Sequence, residues 1–102
     1  MKILALEREN PSAAPRDFAS HLKAEAAAVW QLQQSGLLRQ IDFNAEQHTA
    51  VLLLECDSKE QAAQVLSQMP LVQAGLIQFE IIPLVPYDGY ARLFAQNSAE
   101  RA

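Results

Sequence analysis

The chain has 102 residues, half of them hydrophobic and one fifth charged, with only three Gly and five Pro. That composition excludes a disordered chain, a collagen-like repeat and a coiled coil, and the length predicts a single domain. The net charge of −4 leaves no basic stripe for tracking a nucleic-acid backbone, and no apolar run approaches the ~18–20 residues that cross a bilayer.

Residues 2–6, KILAL, predict a short strand, and Glu7 and Arg8 cut the apolar stretch too early for a signal peptide. The segment from Glu7 to Arg16 carries Pro11, Pro15, Asn10 and Ser12 and reads as a loop. Asp17 is placed to cap a helix from Phe18 to Ser35, and Gly36 to stop it. Ala24 and Ala26 to Ala28 favour helix in its interior. A second strand follows from about Leu37 to Phe43, a polar turn over Asn44 to Gln47, and a third strand from about His48 to Cys56. Asp57 or Ser58 is placed to cap a second helix, with Ser58 and Gln61 at capping-box spacing; the helix runs to about Gln68 and ends at Pro70. A fourth strand spans about Leu76 to Ile82 and stops at Pro83. The stretch LVPYDGYARLF is too apolar for a free tail, whereas the residues after Phe94 are polar and predict a frayed end.

The order β-α-β-β-α-β is the split βαβ, or ferredoxin-like, arrangement of the α+β class. It predicts a four-stranded antiparallel sheet with both helices on one face. Residues 1–83 form this domain and residues 84–102 a C-terminal arm and tail. The single cysteine, Cys56, excludes an intramolecular disulfide and a thiolate metal cluster, and agrees with a reducing, cytoplasmic setting. With two His and no nearby acidic pair, a metal site has no support, and no Gly-rich phosphate loop is present.

The strands are apolar on both sides. Ala50 to Leu54 is unbroken, and Leu4 and Leu6 oppose Ile3 and Ala5. With only two helices to cover one face, the other calls for a second copy of the chain, sheet against sheet at ~10 Å. The arm, with Tyr87, Tyr90, Leu93 and Phe94, lies either on that partner or back over its own sheet.

Polar residues interrupt the apolar stripes. Phe18, Leu22, Val29 and Leu32 share one side of the first helix, and Glu25 lies among them, one turn after His21. Alternation puts Arg39 on one face with Leu37, Ile41 and Phe43, and puts Gln78 and Glu80 with Leu76 and Ile82. A charge in an apolar layer costs several kcal/mol unless paired or wet. Two readings stay open. In one, Glu25 and Arg39 form a buried ion pair. In the other they line a pocket, where Glu25 moves protons and Arg39 holds an anion, with Gln78 and Glu80 within reach. Tyr87-Asp88-Gly89-Tyr90 reads as a turn, or alternatively as a lid on that pocket.

The order of elements, a helix ending in Gly36, then GLLRQIDF, the segment SKEQAAQVLSQMPLV and the closing GLIQFEIIPL resemble muconolactone isomerase and its relatives. The resemblance is continuous from about Glu25 to Val72, and its most specific part is the run into Met69-Pro70-Leu71, where the family has Leu-Pro-Leu. It implies a dimeric α/β barrel, a homodimer or larger homo-oligomer, and a place in the breakdown of aromatic compounds. It implies general acid–base isomerisation of a small carboxylated lactone without metal or cofactor. In register from Gly36, Glu25 falls on the family's helix carboxylate and Arg39 on its strand arginine. The family's helix lysine falls on Leu22, and its hairpin histidine on Gln47, next to His48. The resulting expectation is an isomerase with Glu25 and His21 catalytic, and Arg39, Gln78, Glu80 and Tyr87 binding substrate. The competing expectation is a non-catalytic ligand-binding or assembly protein on the same scaffold, with Glu25 and Arg39 merely paired and no void for a ligand.

Overall fold

The computed structural model describes residues 1–95; the polar end, 96–102, lies outside the described residues. In chain order the elements are β1 (Lys2–Glu9), α1 (Pro15–Phe18), α2 (Leu22–Ser35), β2 (Leu38–Phe43), β3 (Ala50–Glu55), α3 (Lys59–Leu66), α4 (Pro70–Gln73) and β4 (Ile77–Leu84). Single 3₁₀ turns cover Ala19–His21 and Gly89–Leu93. The sheet order is β2-β3-β1-β4, and every neighbouring pair is antiparallel, as the ferredoxin-like arrangement requires.

Five local features differ from expectation. β1 runs on to Glu9, because Glu7, Arg8 and Glu9 pair with Phe79, Gln78 and Ile77 of β4. The predicted first helix is broken into α1, a 3₁₀ turn and α2. Asp17 does not cap it from outside. It sits in the first turn of α1, begun by Pro15, and its carboxylate accepts the Ala14 N–H at 2.8 Å. Pro70 opens α4 instead of closing α3, since a first-turn position needs no N–H. Pro83 stays within β4, opposite Ile3, because β4 is an edge strand and a missing donor on an edge interrupts no ladder.

The caps at Ser58 and Gly36 follow expectation. Ser58 Oγ accepts the Gln61 N–H at 3.0 Å, and Gln61 Oε1 accepts the Asp57 N–H. Gly36 adopts φ 86°, the left-handed geometry that ends α2 without steric cost.

The core lies between one sheet face and the helices. Ile3, Ala5, Leu38, Leu52 and Leu54 meet Ala62, Leu66 and Met69 there, with Cys56. α3 seats firmly on it, burying Ala62 and Leu66. α2 does not: none of its residues is fully buried, and only Ala28, Val29 and Leu32 of its C-terminal half pack against the core. Its N-terminal half, built from alanines around Glu25, therefore stands off the sheet and leaves space beneath it.

Among the described residues the opposite face carries no helix. Leu4, Leu6, Val51, Leu53 and Ile82 occupy it and are all half-buried. Beyond β4 the arm exposes Val85, Tyr87, Tyr90, Leu93 and Phe94, by 69–84%. The radius of gyration is 17.4 Å, against about 13 Å for a compact chain of this length, and the long axis is 60 Å. The described part of the arm, up to residue 95, thus projects from the body and does not fold back over its own sheet.

Candidate active site

A cavity of about 710 Å³ lies between the sheet and α2, which lines it from Leu22 to Gln33, within the size range of small-molecule sites. Its walls are mainly apolar, with Phe18, Val29, Leu52, Leu71 and Phe79 among them, and Trp30 at its edge.

Glu25 reaches into it from α2. The reason for its placement is local. The helix α4 is four residues long and its N-cap residue, Met69, supplies no side-chain acceptor. Pro70 has no N–H, so Leu71 carries the first free donor of that helix. Glu25 Oε1 accepts it at 2.9 Å. Glu25 thus ties two helices together and caps the second. Burial pushes its carboxyl above the usual 4.5; the Leu71 hydrogen bond opposes the rise, and the charge of Glu7 adds to it.

Glu7 is the second carboxylate of the cavity and is only 8% exposed. It lies on the helix-facing side of β1, two residues beyond Ala5. Its Oε1 accepts the Ala50 N–H at 2.7 Å, just past the last β1–β3 pair, Leu6 with Val51. Burial raises its carboxyl as well, with the Ala50 bond and His48 lowering it and Glu9 raising it. Glu7 does not stand out in the sequence, because it follows an apolar strand as the first of four polar residues, Glu7 to Asn10. The signal was its parity with Ile3 and Ala5.

His48 also lines the cavity. It adopts φ 57°, and its ring stacks on Phe43 with centroids 4.0 Å apart. The preceding turn is closed by Asn44, whose Oδ1 accepts the N–H groups of Glu46 and Gln47, and whose carbonyl accepts the N–H of His48. That turn aims His48 back towards the sheet's helix side.

The structure does not bring Arg39 to Glu25. Strict alternation along β2 fails at a bulge: Leu38 faces Leu54 and Gln40 faces Leu53, with Arg39 as the extra residue. Leu38, not Leu37, then joins Ile41 and Phe43 on the helix side. Arg39 is exposed, and its Nε donates to the Gly36 carbonyl at 2.6 Å. Its charge instead reinforces the Met1 ammonium, whose hydrogen bond to Glu55 holds that carboxyl below the usual range.

Gln78 and Glu80 lie on the uncovered side of the sheet, opposite Arg8 and Leu6, and Arg8 Nη2 donates to Glu80 Oε1. They are separated from the cavity by the sheet. His21 ends the 3₁₀ turn before α2 and is not among the residues that line the cavity. Tyr87 sits on the arm, edge-on to Tyr90 at 4.9 Å. It covers Gly89 so closely that a Cβ there would lie 2.0 Å from its hydroxyl. Among the described residues no group of three or more His, Cys, Asp and Glu side chains is placed to hold a metal ion. No described helix is long and apolar enough to cross a membrane.

Comparison with known proteins yields a consistent picture. Residues 5–89 match the family model of muconolactone delta-isomerase. No curated protein sequence matches the chain. Among solved structures, muconolactone isomerase superposes with a TM-score of 0.71 at 18% identity, over 99% of this chain and 100% of that one. The 5-chloro-2-hydroxyhydroquinone dehydrochlorinase of Burkholderia phenoliruptrix AC1100, in complex with 2,5-dihydroxybenzoquinone, gives 0.67 at 14% identity, over 87% of this chain and 98% of that one. At these identities the two structures show a shared fold.

Proposed function

This chain belongs to the muconolactone delta-isomerase family, and we propose that it moves a proton within a small cyclic substrate held in the cavity under α2. The observation that carries the reading is the placement of Glu25: a carboxylate in a largely apolar cavity, with its proton affinity raised by burial. A base tuned upward towards neutrality both takes and returns a proton efficiently. In the proposed step a ring C–H bond breaks and Glu25 gains the proton as the electron pair moves into a conjugated carbonyl. The proton then returns to a different carbon, and the double bond has shifted. No net redox change occurs. The two related structures carry names for reactions on small rings, a lactone and a chlorinated hydroxyhydroquinone, which supports a cyclic substrate here.

The competing non-catalytic reading, a ligand-binding or assembly protein on the same scaffold, predicts that Glu25 pairs with Arg39 and that the space between helix and sheet closes. A cavity of about 710 Å³ and an Arg39 committed to Gly36 both favour the catalytic reading. Its assembly is part of the proposal: two copies join through Leu4, Leu6, Val51, Leu53 and Ile82, with the projecting arm laid on the partner.

The test is proton exchange, which reads the chemical step directly on simple model rings. Unsaturated five-membered lactones are incubated with the protein in D₂O and followed by NMR. Deuterium entry at a ring carbon, lost in Glu25→Gln, supports the proposal. Exchange that persists in that variant removes Glu25 from the reaction.

A further inference from the structure

The charge of the cavity points to a substrate class, and this step rests on the proton-transfer reading above. The ionisable residues that line it are Glu7, Glu9, Glu25, Asp42 and His48. Asp42 pairs with Val51, so its carboxylate belongs to the other side of the sheet, where Gln40 Nε2 donates to it at 3.0 Å. Three carboxylates and one imidazole remain. Among the described residues no Lys or Arg lines the cavity. The one arginine placed by pattern to receive an anion, Arg39, is carried outside by the bulge in β2.

An anion entering this space meets no Lys or Arg and only the His48 imidazole against three carboxylates, so it loses its hydration and meets an excess of like charge in apolar surroundings. The acids themselves are half-committed. Glu7 and Glu25 each spend Oε1 on a backbone N–H, of Ala50 and Leu71, and no hydrogen bond from a described residue reaches the second oxygen of either. An ionised carboxylate only accepts, so those oxygens call for hydroxyl donors. The aromatic and aliphatic walls call for a flat, apolar body.

We infer that the cavity takes an uncharged ring compound bearing hydroxyl or enol donors, and discriminates against ring compounds that carry a carboxylate. Glu7 and Glu25 are its acceptors, and Glu7 sets the selectivity against anions.

Trp30 is the chain's only tryptophan and lines the cavity, so its fluorescence reports occupancy without turnover. Three probes are titrated at pH 7 into the intact protein: an unsaturated lactone bearing a carboxymethyl group, its methyl ester, and hydroquinone. The ester and hydroquinone are expected to bind about tenfold or more tighter than the acid, the scale of one unfavourable charge contact. The gap between ester and acid should narrow in Glu7→Gln, whose amide oxygen still accepts from Ala50, and in Glu9→Gln on the exposed rim. Equal or tighter binding of the acid overturns the inference, as does failure of all three probes to bind. Because these are affinities, selectivity for the uncharged probes survives even if Glu25→Gln still exchanges protons. Conversely, a preference for the acid leaves the proton-transfer result standing.

Discussion

Glu25 Oε1 accepts the backbone N–H of Leu71 at 2.9 Å, so the carboxylate proposed for proton transfer is also the N-terminal cap of α4. The two roles separate by substitution. Glu25→Gln keeps an acceptor oxygen for Leu71 and should leave stability within about 0.5 kcal/mol while lowering proton exchange by about 10²-fold or more. Glu25→Ala removes the acceptor as well and should cost about 1–2 kcal/mol. Urea denaturation of both variants, beside the exchange assay, distinguishes them. Equal destabilisation by Gln and Ala would show that the cap depends on the charge.

Glu7 and Glu25 make stability fall as pH rises. Both carboxyls lie above the usual 4.5 in the folded chain, chiefly through burial. The folded state therefore holds protons that the unfolded state has released. The stability conferred by protonation is fully present below 4.5 and is lost as pH climbs through the elevated folded values. Around Glu7 the charges that face it are Glu9, His48 and Glu25. Glu7→Gln should melt at a higher temperature than the wild type at pH 7, with the difference gone by pH 4. Melting curves across that range check it, and a variant less stable than wild type at pH 7 would contradict it.

Much of the fold was legible because its signals are local. Ser58 with Gln61, and Gly36 after a helical run, work through neighbours a few residues away. Glu25 was legible because a lone carboxylate stood in an apolar helical stripe. Arg39 was not, because alternation assumes an unbroken ladder, and the bulge between Leu38 and Gln40 depends on β3, which the β2 sequence does not contain. Glu7 was hidden by its polar neighbours: the pairing that extends β1 to Glu9 comes from β4, about seventy residues away. The cavity itself is a tertiary property, set by how far α2 stands from the sheet.

Cys56 should behave as an inert thiol. It is 4% exposed, and burial raises its pKa, which lowers the thiolate fraction available for attack. A coloured disulfide reagent at pH 7 should modify it about 10²-fold more slowly in the native chain than in denaturant, the rate being limited by opening of the core. Rapid labelling of the native protein would show that the end of β3 opens easily.

The uncovered sheet face should be an interface between copies of the chain. Its apolar residues run diagonally across three strands, with Leu4 paired to both Leu53 and Ile82. The ion pair of Arg8 with Glu80 borders them on one side. Such a strip, rimmed by charge, suits an isologous contact, in which every residue is used twice. Leu53→Glu puts a carboxylate within the strip in each copy, beside the central Leu4. Two unpaired charges buried together cost several kcal/mol, so the dissociation constant should rise by about 10²-fold or more. Leu53 is half-buried in the single chain and points away from the core, so far-ultraviolet circular dichroism should be unchanged. Sedimentation velocity reads the outcome. A dimer in the wild type that becomes a monomer in the variant supports the interface; a wild-type monomer, or a dimer indifferent to the substitution, removes it.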